Sequence, residues 1–146
     1  MTVPVEDELA IRSLLARYGD AASRRDAEGW IATWAPDCTW DLGGGRMTHG
    51  HDETLALWRS SIAKYPWVVQ VPASGFLEMR EGIVHGTWYV LELNHVVDGS
   101  GVMHLGHYRD TYERSDSGRW TFATRRFHLI YRGAIDAGTV RPLEEG

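Results

Sequence analysis

The chain has 146 residues, of which 43% are hydrophobic and 24% are charged, and its formal net charge is −5. This length and composition fit one globular domain and exclude the signature of intrinsic disorder. The negative charge, and the lack of a basic stripe interleaved with aromatic residues, exclude nucleic acid as an expected partner. With one cysteine, no basic and apolar leader and no membrane-length apolar run, we expect a cytoplasmic protein that has no membrane partner.

The first part of the sequence has the apolar spacing of helices. Residues 6–22 predict an amphipathic helix, and Asp26 is typical of the N-cap of a short second helix that stops at Pro36. Residues 51–64 predict a third helix, which would bury one face through Leu55, Trp58 and Ile62.

From Trp67 onward the apolar residues alternate with a period of two, which is typical of strands. Two short extended pieces flank Gly43–Gly45, and four longer runs follow, at residues 68–79, 83–97, 101–114 and 119–132. Short turns between the longer runs make them antiparallel neighbours. We therefore predict an α+β fold, with three N-terminal helices packed on a strongly curved antiparallel sheet that forms a cone-shaped half-barrel around a central pocket.

Several short motifs extend along nearly the whole chain: "LLARYGDA", "RRDAEGWIATWAPDCTWDLGG", "GTWYVLEL", "LGHYRDTYER" and "GRWTFATRRF". With these motifs the chain resembles the SnoaL-like group of the nuclear-transport-factor-2-like superfamily over roughly residues 6–133. We therefore interpret residues 1–146 as a single SnoaL-like domain, with a core of about 6–133 and a C-terminal tail at 134–146.

The resemblance implies a cone that holds a hydrophobic ligand, often in a homodimer, and no cofactor. The group includes scytalone dehydratase, ketosteroid isomerase, polyketide cyclases, a hexachlorocyclohexane dehydrochlorinase and bile-acid dehydratases, beside pockets without chemistry. The enzymes most similar in layout pair a carboxylate near the end of the first helix with a histidine on the first long strand. Here Ser23 and Gln70 match those two positions, and neither side chain takes up a proton near neutral pH.

Three residues are the candidates for catalysis: Tyr18, Asp26 and His104. Asp26 lies on about the same side of the first helix as Tyr18, although the interpretation of Asp26 as an N-cap is favoured. Strand alternation puts His104 on one face with Tyr108, which we take as the inner face, and His107 on the other. Because His104 and His107 point apart, we expect no metal site.

Alternatives remain open on two other strands, the last one and the one at residues 83–97. Alternation places Arg126 and His128 on the inner face of the last strand, where Arg126 opposite Asp110 is either a buried ion pair or a substrate clamp. Glu92 is a proton carrier with a raised pKa if it points inward, or a solvated side chain if it points outward, and the outward orientation is favoured.

Aromatic and polar side chains are predicted to bind the ligand. Trp40 matches a cavity tryptophan of the dehydrochlorinase, whereas ordinary core is an equally good interpretation of Trp58. The predicted substrate-binding residues are Trp40, Trp58, Gln70, Trp88, Tyr108 and His128.

These residues favour a lyase, isomerase or cyclase that transfers protons on a hydrophobic cyclic or polyketide-like small molecule. The loss of the familiar dyad to Ser23 and Gln70 favours the alternative, a small-molecule binding protein without catalysis. A third interpretation is an assembly module that uses the outer face of the sheet, with contacts from His107, Arg109, Arg125, Phe127 and Tyr131.

Overall fold

The computed structural model describes residues 2–96, 98–136 and 138–143. Within these residues the chain forms three helices and six strands. The helices are α1 (Val5–Arg24), α2 (Ala27–Ile31) and α3 (Gly50–Ile62). The strands are β1 (Trp34–Asp41), β2 (Met47–His49), β3 (Trp67–Arg80), β4 (Ile83–His95), β5 (Gly101–Arg114) and β6 (Trp120–Ile135).

The junction between α1 and α2 explains the role of Asp26. Helix α1 ends where Arg25 adopts a left-handed conformation, with φ at 59°. Asp26 then caps α2, because its side chain accepts a hydrogen bond of 3.0 Å from the backbone N–H of Gly29. The favoured interpretation of Asp26 as an N-cap is therefore confirmed.

Helix α2 ends at Ile31, earlier than predicted. Pro36 does not stop this helix but lies inside β1, where the pairing register with β6 shifts between Trp34 and Thr39. A proline has no N–H to donate, and it is tolerated at such an irregular position.

The strands form one open sheet in the order β2-β1-β6-β5-β4-β3. Strands β3 to β6 form the predicted antiparallel meander, since each pairs with the next along the chain. The predicted α+β fold, with three helices packed on a sheet, is confirmed. The sheet is mixed, because β1 pairs with β6 in parallel. No hairpin joins these two strands, so local turn chemistry does not fix their relative direction.

Strand β6 contains an irregularity that reverses its faces. Thr111 pairs with Thr124 while Tyr112 pairs with Phe122, which leaves Ala123 as an extra residue. Since one extra residue moves the side chains that follow it to the opposite face, as far as the second register shift between Leu129 and Tyr131, the predicted inner positions of Arg126 and His128 are wrong.

Two glycines make room for aromatic side chains on the concave face. A Cβ on Gly75 would lie 2.2 Å from the Trp88 ring, and one on Gly86 would lie 2.1 Å from the Tyr112 hydroxyl. Trp88 and Tyr112 fill this space and are joined by a 2.7 Å hydrogen bond from the indole Nε1 to the hydroxyl oxygen.

The core between the helices and the concave face of the sheet is rich in aromatic residues. Trp30, Trp34 and Phe122 are fully buried, and Trp30 stacks on Trp58 with ring centroids 4.8 Å apart. Among the described residues, none of the helices combines the length and the apolar character needed to cross a bilayer. The core thus anchors α1 and α3 over the sheet and positions the space that they leave open.

Candidate functional site

A cavity of about 350 Å³ lies between the ends of α1 and α3 and the concave face of the sheet. Its apolar and aromatic wall consists of Tyr18, Ala22, Trp40, Leu42, Trp58, Ile62, Tyr65, Val68, Val90, Tyr108, Phe127 and Leu129. Its polar lining consists of Arg46, Ser61, Lys64, Gln70, Glu92, His104 and Arg132. A space of this size and character accommodates a small, mostly apolar molecule with a few oriented polar groups.

Glu92 and His104 form a pair on this wall. They are direct partners across β4 and β5, and Nδ1 of His104 lies 3.4 Å from Oε1 of Glu92. The side chains are 24% exposed for Glu92 and 19% for His104, so both reach the cavity. The inward orientation of His104 is confirmed, and the favoured outward orientation of Glu92 is wrong.

Gln70 supports Glu92 from the neighbouring strand. Its Nε2 donates a 3.0 Å hydrogen bond to Oε2 of Glu92. The backbone N–H of Gln70 donates to Oγ of Ser23 at 2.9 Å, and this hydroxyl donates in turn to the carbonyl of Gly19. Ser23 and Gln70 therefore link α1 to the Glu92–His104 pair.

Three effects set the charge of Glu92. Burial alone would raise the pKa of this carboxyl, but hydrogen bonds from His104 and Gln70 and the charge of His104 hold the pKa below its ordinary value. The carboxyl is therefore ionised at neutral pH. The expectation that an inward Glu92 has a raised pKa is wrong, because hydrogen bonding outweighs desolvation here.

Tyr18 and Tyr108 supply neutral hydroxyl groups to the cavity. Burial raises the pKa of Tyr18 well above its usual value, with a further rise from Tyr108. Burial also raises the pKa of Tyr108, against the opposing effect of Arg125. Both tyrosines thus keep their protons at neutral pH and can donate hydrogen bonds to a ligand oxygen.

Trp40 and Trp58 face the cavity as predicted. The indole N–H of Trp40 is buried beside the Tyr108 hydroxyl, and it lowers the pKa of that hydroxyl against the effect of burial.

Three of the predicted residues do not reach the cavity. Asp26 caps α2 and lies along a separate groove between α1, α2 and the β5–β6 turn. Trp88 is buried in the core, where it bonds Tyr112 and packs under the guanidinium of Arg12 at 5.0 Å. His128 is exposed on the outer face, where its ring stacks on His107 with centroids 5.0 Å apart. These placements contradict the predicted access of the three side chains to the ligand.

A second charged pair lies deeper on the concave face. Nε of Arg125 donates to Oδ1 of Asp110 at 2.9 Å, and the side chains are 1% and 0% exposed. The predicted partner, Arg126, instead contacts Asp41 at 3.1 Å near the surface, because the extra residue in β6 shifts the pairing by one. The guanidinium of Arg125 lies over the rings of Tyr18, Tyr108 and Phe122.

Sequence reasoning missed Glu92 as a site residue, although a signal was present. Trp88 and Glu92 are four residues apart on one regular strand, so an inward Trp88 implies an inward Glu92. Arg46, Lys64 and Arg132 were also missed, because the positions of Arg46 and Lys64 depend on turns and that of Arg132 on strand irregularities.

Across the described residues, no group of three or more histidine, cysteine or carboxylate side chains could hold a metal ion.

Comparisons with known proteins agree with this geometry. A family model described as a SnoaL-like domain matches residues 3–126. The structure of a hexachlorocyclohexane dehydrochlorinase, LinA type 2, is 21% identical, covers 94% of this chain and 95% of its own, and superposes with a TM-score of 0.84. LinA type 3 from Novosphingobium barchaimii LL02 is 20% identical, covers 95% and 97% of the two chains, and has a TM-score of 0.83.

A protein from Novosphingobium aromaticivorans DSM 12444, provisionally assigned as a scytalone dehydratase, is 14% identical. It covers 97% of this chain and 96% of its own with a TM-score of 0.82. At these identities the structural likeness shows a shared fold alone. No curated protein sequence matches the chain at a significant level.

Proposed function

The chain belongs to the SnoaL-like domain family, and we propose that it is a lyase, isomerase or cyclase that transfers protons on a hydrophobic cyclic or polyketide-like molecule. The observation that carries this proposal is the Glu92–His104 pair, which lies on the wall of an aromatic cavity and is braced by Gln70. The names of the structural neighbours, which include a dehydrochlorinase, support a lyase of this kind.

In the proposed mechanism His104 is the base. Nδ1 of His104 lies 3.4 Å from both Oε1 of Glu92 and Nδ2 of Asn94. In the proposed tautomer Nδ1 donates to Glu92, so that Nε2 accepts the proton from an acidic C–H bond of the substrate. The carboxylate of Glu92 orients the imidazole and stabilises the positive charge that the imidazole acquires. Gln70 holds Glu92 in place through its side-chain amide.

The proton transfer leaves an electron pair on the substrate. The electron pair of the broken C–H bond forms a new double bond, either to a neighbouring carbon as a leaving group departs or within an enolate. Hydroxyl donors from Tyr18 and Tyr108 stabilise the negative charge that develops on the substrate oxygen or on the leaving group. The aromatic wall excludes water from the reacting centre.

A search for substrate with matched variants tests the proposal. Small molecules retained by the purified protein are identified by mass spectrometry, and incubation is followed for loss of water or acid. We expect His104→Gln to lower the turnover of an identified substrate by about 10²–10⁴-fold, the usual contribution of a general base. His128→Gln, the same change on the outer face, should leave turnover intact. Equal turnover by the wild type and His104→Gln would reject the assignment.

A second candidate function is ligand binding without catalysis. The observation that favours it is the presence of Ser23 and Gln70 at the positions of the family dyad, where hydrogen bonds tie both residues into the fold. A retained ligand that enters and leaves the protein chemically unchanged, with equal affinity for the wild type and His104→Gln, would select this function.

We also propose a homodimer formed through the outer face of the sheet. Exposed apolar side chains support this contact, among them Val71, Phe76, Tyr89 and Tyr131. His107 and Arg109 share this face, whereas Arg125 and Phe127 point inward and leave the predicted contact set. Light scattering at micromolar concentration should give twice the 16.5 kDa mass of the chain, and a monomer would exclude the dimer.

A further inference from the structure

The mouth of the cavity is positively charged. Arg46 precedes β2, Lys64 follows α3 and Arg132 lies in β6, and all three line the cavity with exposed side chains. Lys64 is the only lysine of the sequence. Three separate segments of the fold thus bring cations to one opening.

These cations contrast with the rest of the molecule. The chain carries 15 lysine and arginine residues against 20 aspartate and glutamate residues. Among the residues that the structure describes, however, the only carboxylate in the cavity lining is that of Glu92. Glu92 is already engaged by His104 and Gln70. The cavity lining therefore carries a net positive charge, whereas the chain as a whole carries a net negative charge.

The three cationic side chains make no contacts that the fold requires. Within residues 2–96, 98–136 and 138–143, Arg46, Lys64 and Arg132 have no side-chain hydrogen bond or ion pair. Other exposed arginines do have partners, such as Arg12 with Glu8 and Arg126 with Asp41. No side chain in the described part of the chain thus competes with a bound molecule for these donors.

Arg132 connects this charge to the chemistry of the site. It is the direct partner of His104 across β5 and β6. A group bound by Arg132 would therefore lie next to the base, while the remainder of the molecule extends along the wall formed by Trp40 and Trp58.

We propose that the substrate is an organic anion, with a carboxylate held at the mouth by Arg46, Lys64 and Arg132 and an apolar ring in the cavity. The inference rests on the proposed function for its claim that the bound molecule is a substrate. Arginine binds a carboxylate through two parallel N–H donors, and a cleft lined by one sign of charge concentrates ligands of the opposite sign. The cations add specificity for an acid to a cavity that is otherwise selective for apolar rings.

Two fluorescent probes that differ only by an anionic group test the inference. 8-Anilinonaphthalene-1-sulfonate carries a sulfonate, and N-phenyl-1-naphthylamine is the same molecule without it. We expect the protein to bind the anionic probe more tightly. The double variant Arg46→Gln/Arg132→Gln should lose its affinity for the anionic probe by on the order of tenfold, since charge-assisted hydrogen bonds are removed, and keep its affinity for the neutral probe.

Two further variants locate the effect. Arg59→Gln removes an exposed positive charge on α3 outside the cavity lining and should change neither affinity. Ala22→Phe fills part of the cavity and should weaken both probes, with circular dichroism to verify folding. The inference is overturned by equal affinity for the two probes, by an equal loss of both in the double variant, or by anionic binding that Ala22→Phe does not change.

Competition then tests for a carboxylate. 2-Naphthoate should displace the anionic probe at lower concentration than methyl 2-naphthoate, and equal displacement would overturn the assignment of a carboxylate. Because these readouts measure binding alone, they are independent of catalysis. A preference for anions that persists in His104→Gln would stand even if turnover by the wild type were never found, and active enzyme without this preference would leave the proposed function intact.

Discussion

Two pairs of polar side chains lie on the concave face of the sheet, and their surroundings differ. Arg125 and Asp110 meet at 2.9 Å with exposures of 1% and 0%, enclosed by the rings of Tyr18, Tyr108 and Phe122. Glu92 and His104 meet at 3.4 Å, remain 24% and 19% exposed, and border the cavity.

Arg125 and Asp110 form a structural pair, whereas Glu92 and His104 can contact a ligand. Burial by itself would lower the pKa of Arg125, but Asp110, Tyr18 and Tyr108 raise it above its ordinary value, so its proton is never available. The longer Glu92–His104 contact joins a carboxylate to an imidazole that also lines the cavity. Access to a ligand distinguishes the second pair.

Breaking the buried pair should produce the largest loss of stability. Arg125→Met leaves the Asp110 carboxylate buried without its cation, which should lower the free energy of unfolding by about 3–5 kcal/mol. Arg126→Met removes the adjacent arginine, whose side chain is 76% exposed and contacts Asp41, and should cost under about 1 kcal/mol. Urea denaturation of both variants measures the contrast, and similar losses would contradict the structural role of Arg125.

An intermediate loss is expected from the hydroxyl group beside this pair. The Tyr112 hydroxyl accepts from Trp88 Nε1 at 2.7 Å and donates to Asp110 at 3.2 Å. Tyr112→Phe leaves the buried indole N–H without a partner and should cost about 1–3 kcal/mol in thermal or urea denaturation. Binding of 8-anilinonaphthalene-1-sulfonate should not change, because neither Tyr112 nor Trp88 lines the cavity. A change in probe binding without a change in stability would contradict this division of roles.

The smallest effect concerns acid stability at the cavity. The folded state holds the pKa of Glu92 below its ordinary value of 4.5, so this carboxyl stabilises the fold at pH values above 4.5. The contribution is lost as the pH falls through the folded-state pKa. Relative to Glu92→Gln, the wild type should therefore lose under about 1 kcal/mol of unfolding free energy as the pH falls below 4.5. If the wild type instead gained unfolding free energy relative to Glu92→Gln as the pH falls, Glu92 would have a raised pKa.

The sequence predicted the elements well where a regular period continued. The amphipathic pattern before Arg25 and the alternation in β4 and β5 correspond to α1 and to two regular strands. On those regular strands the inward orientation of His104 and Tyr108 follows from alternation alone. The parallel pairing of β1 with β6 could not be predicted, because it depends on tertiary packing between distant segments.

The errors at the site have identifiable physical causes. Ala123 adds one residue to β6, and no feature of the sequence marks that position, so His128 was assigned to the wrong face. The sequence favours an outward Glu92 because a bulge easily reverses the faces of a strand, yet β4 pairs with β5 without a register shift from Trp88 to Glu92. The hydrogen bond from Gln70 that offsets its burial joins residues on separate strands and is visible only in the folded chain.

Carbon–hydrogen exchange in D₂O tests the central claim, that His104 removes a proton from carbon within the cavity, most directly. Cyclic ketones that fit the cavity, with and without a carboxylate, are incubated with the protein, and deuterium next to the carbonyl is measured by NMR. The account predicts that the wild type accelerates deuterium uptake, that His104→Gln slows it by about 10²–10⁴-fold, and that His128→Gln does not. Uptake no faster than in buffer, or equal uptake by the wild type and His104→Gln, would contradict it.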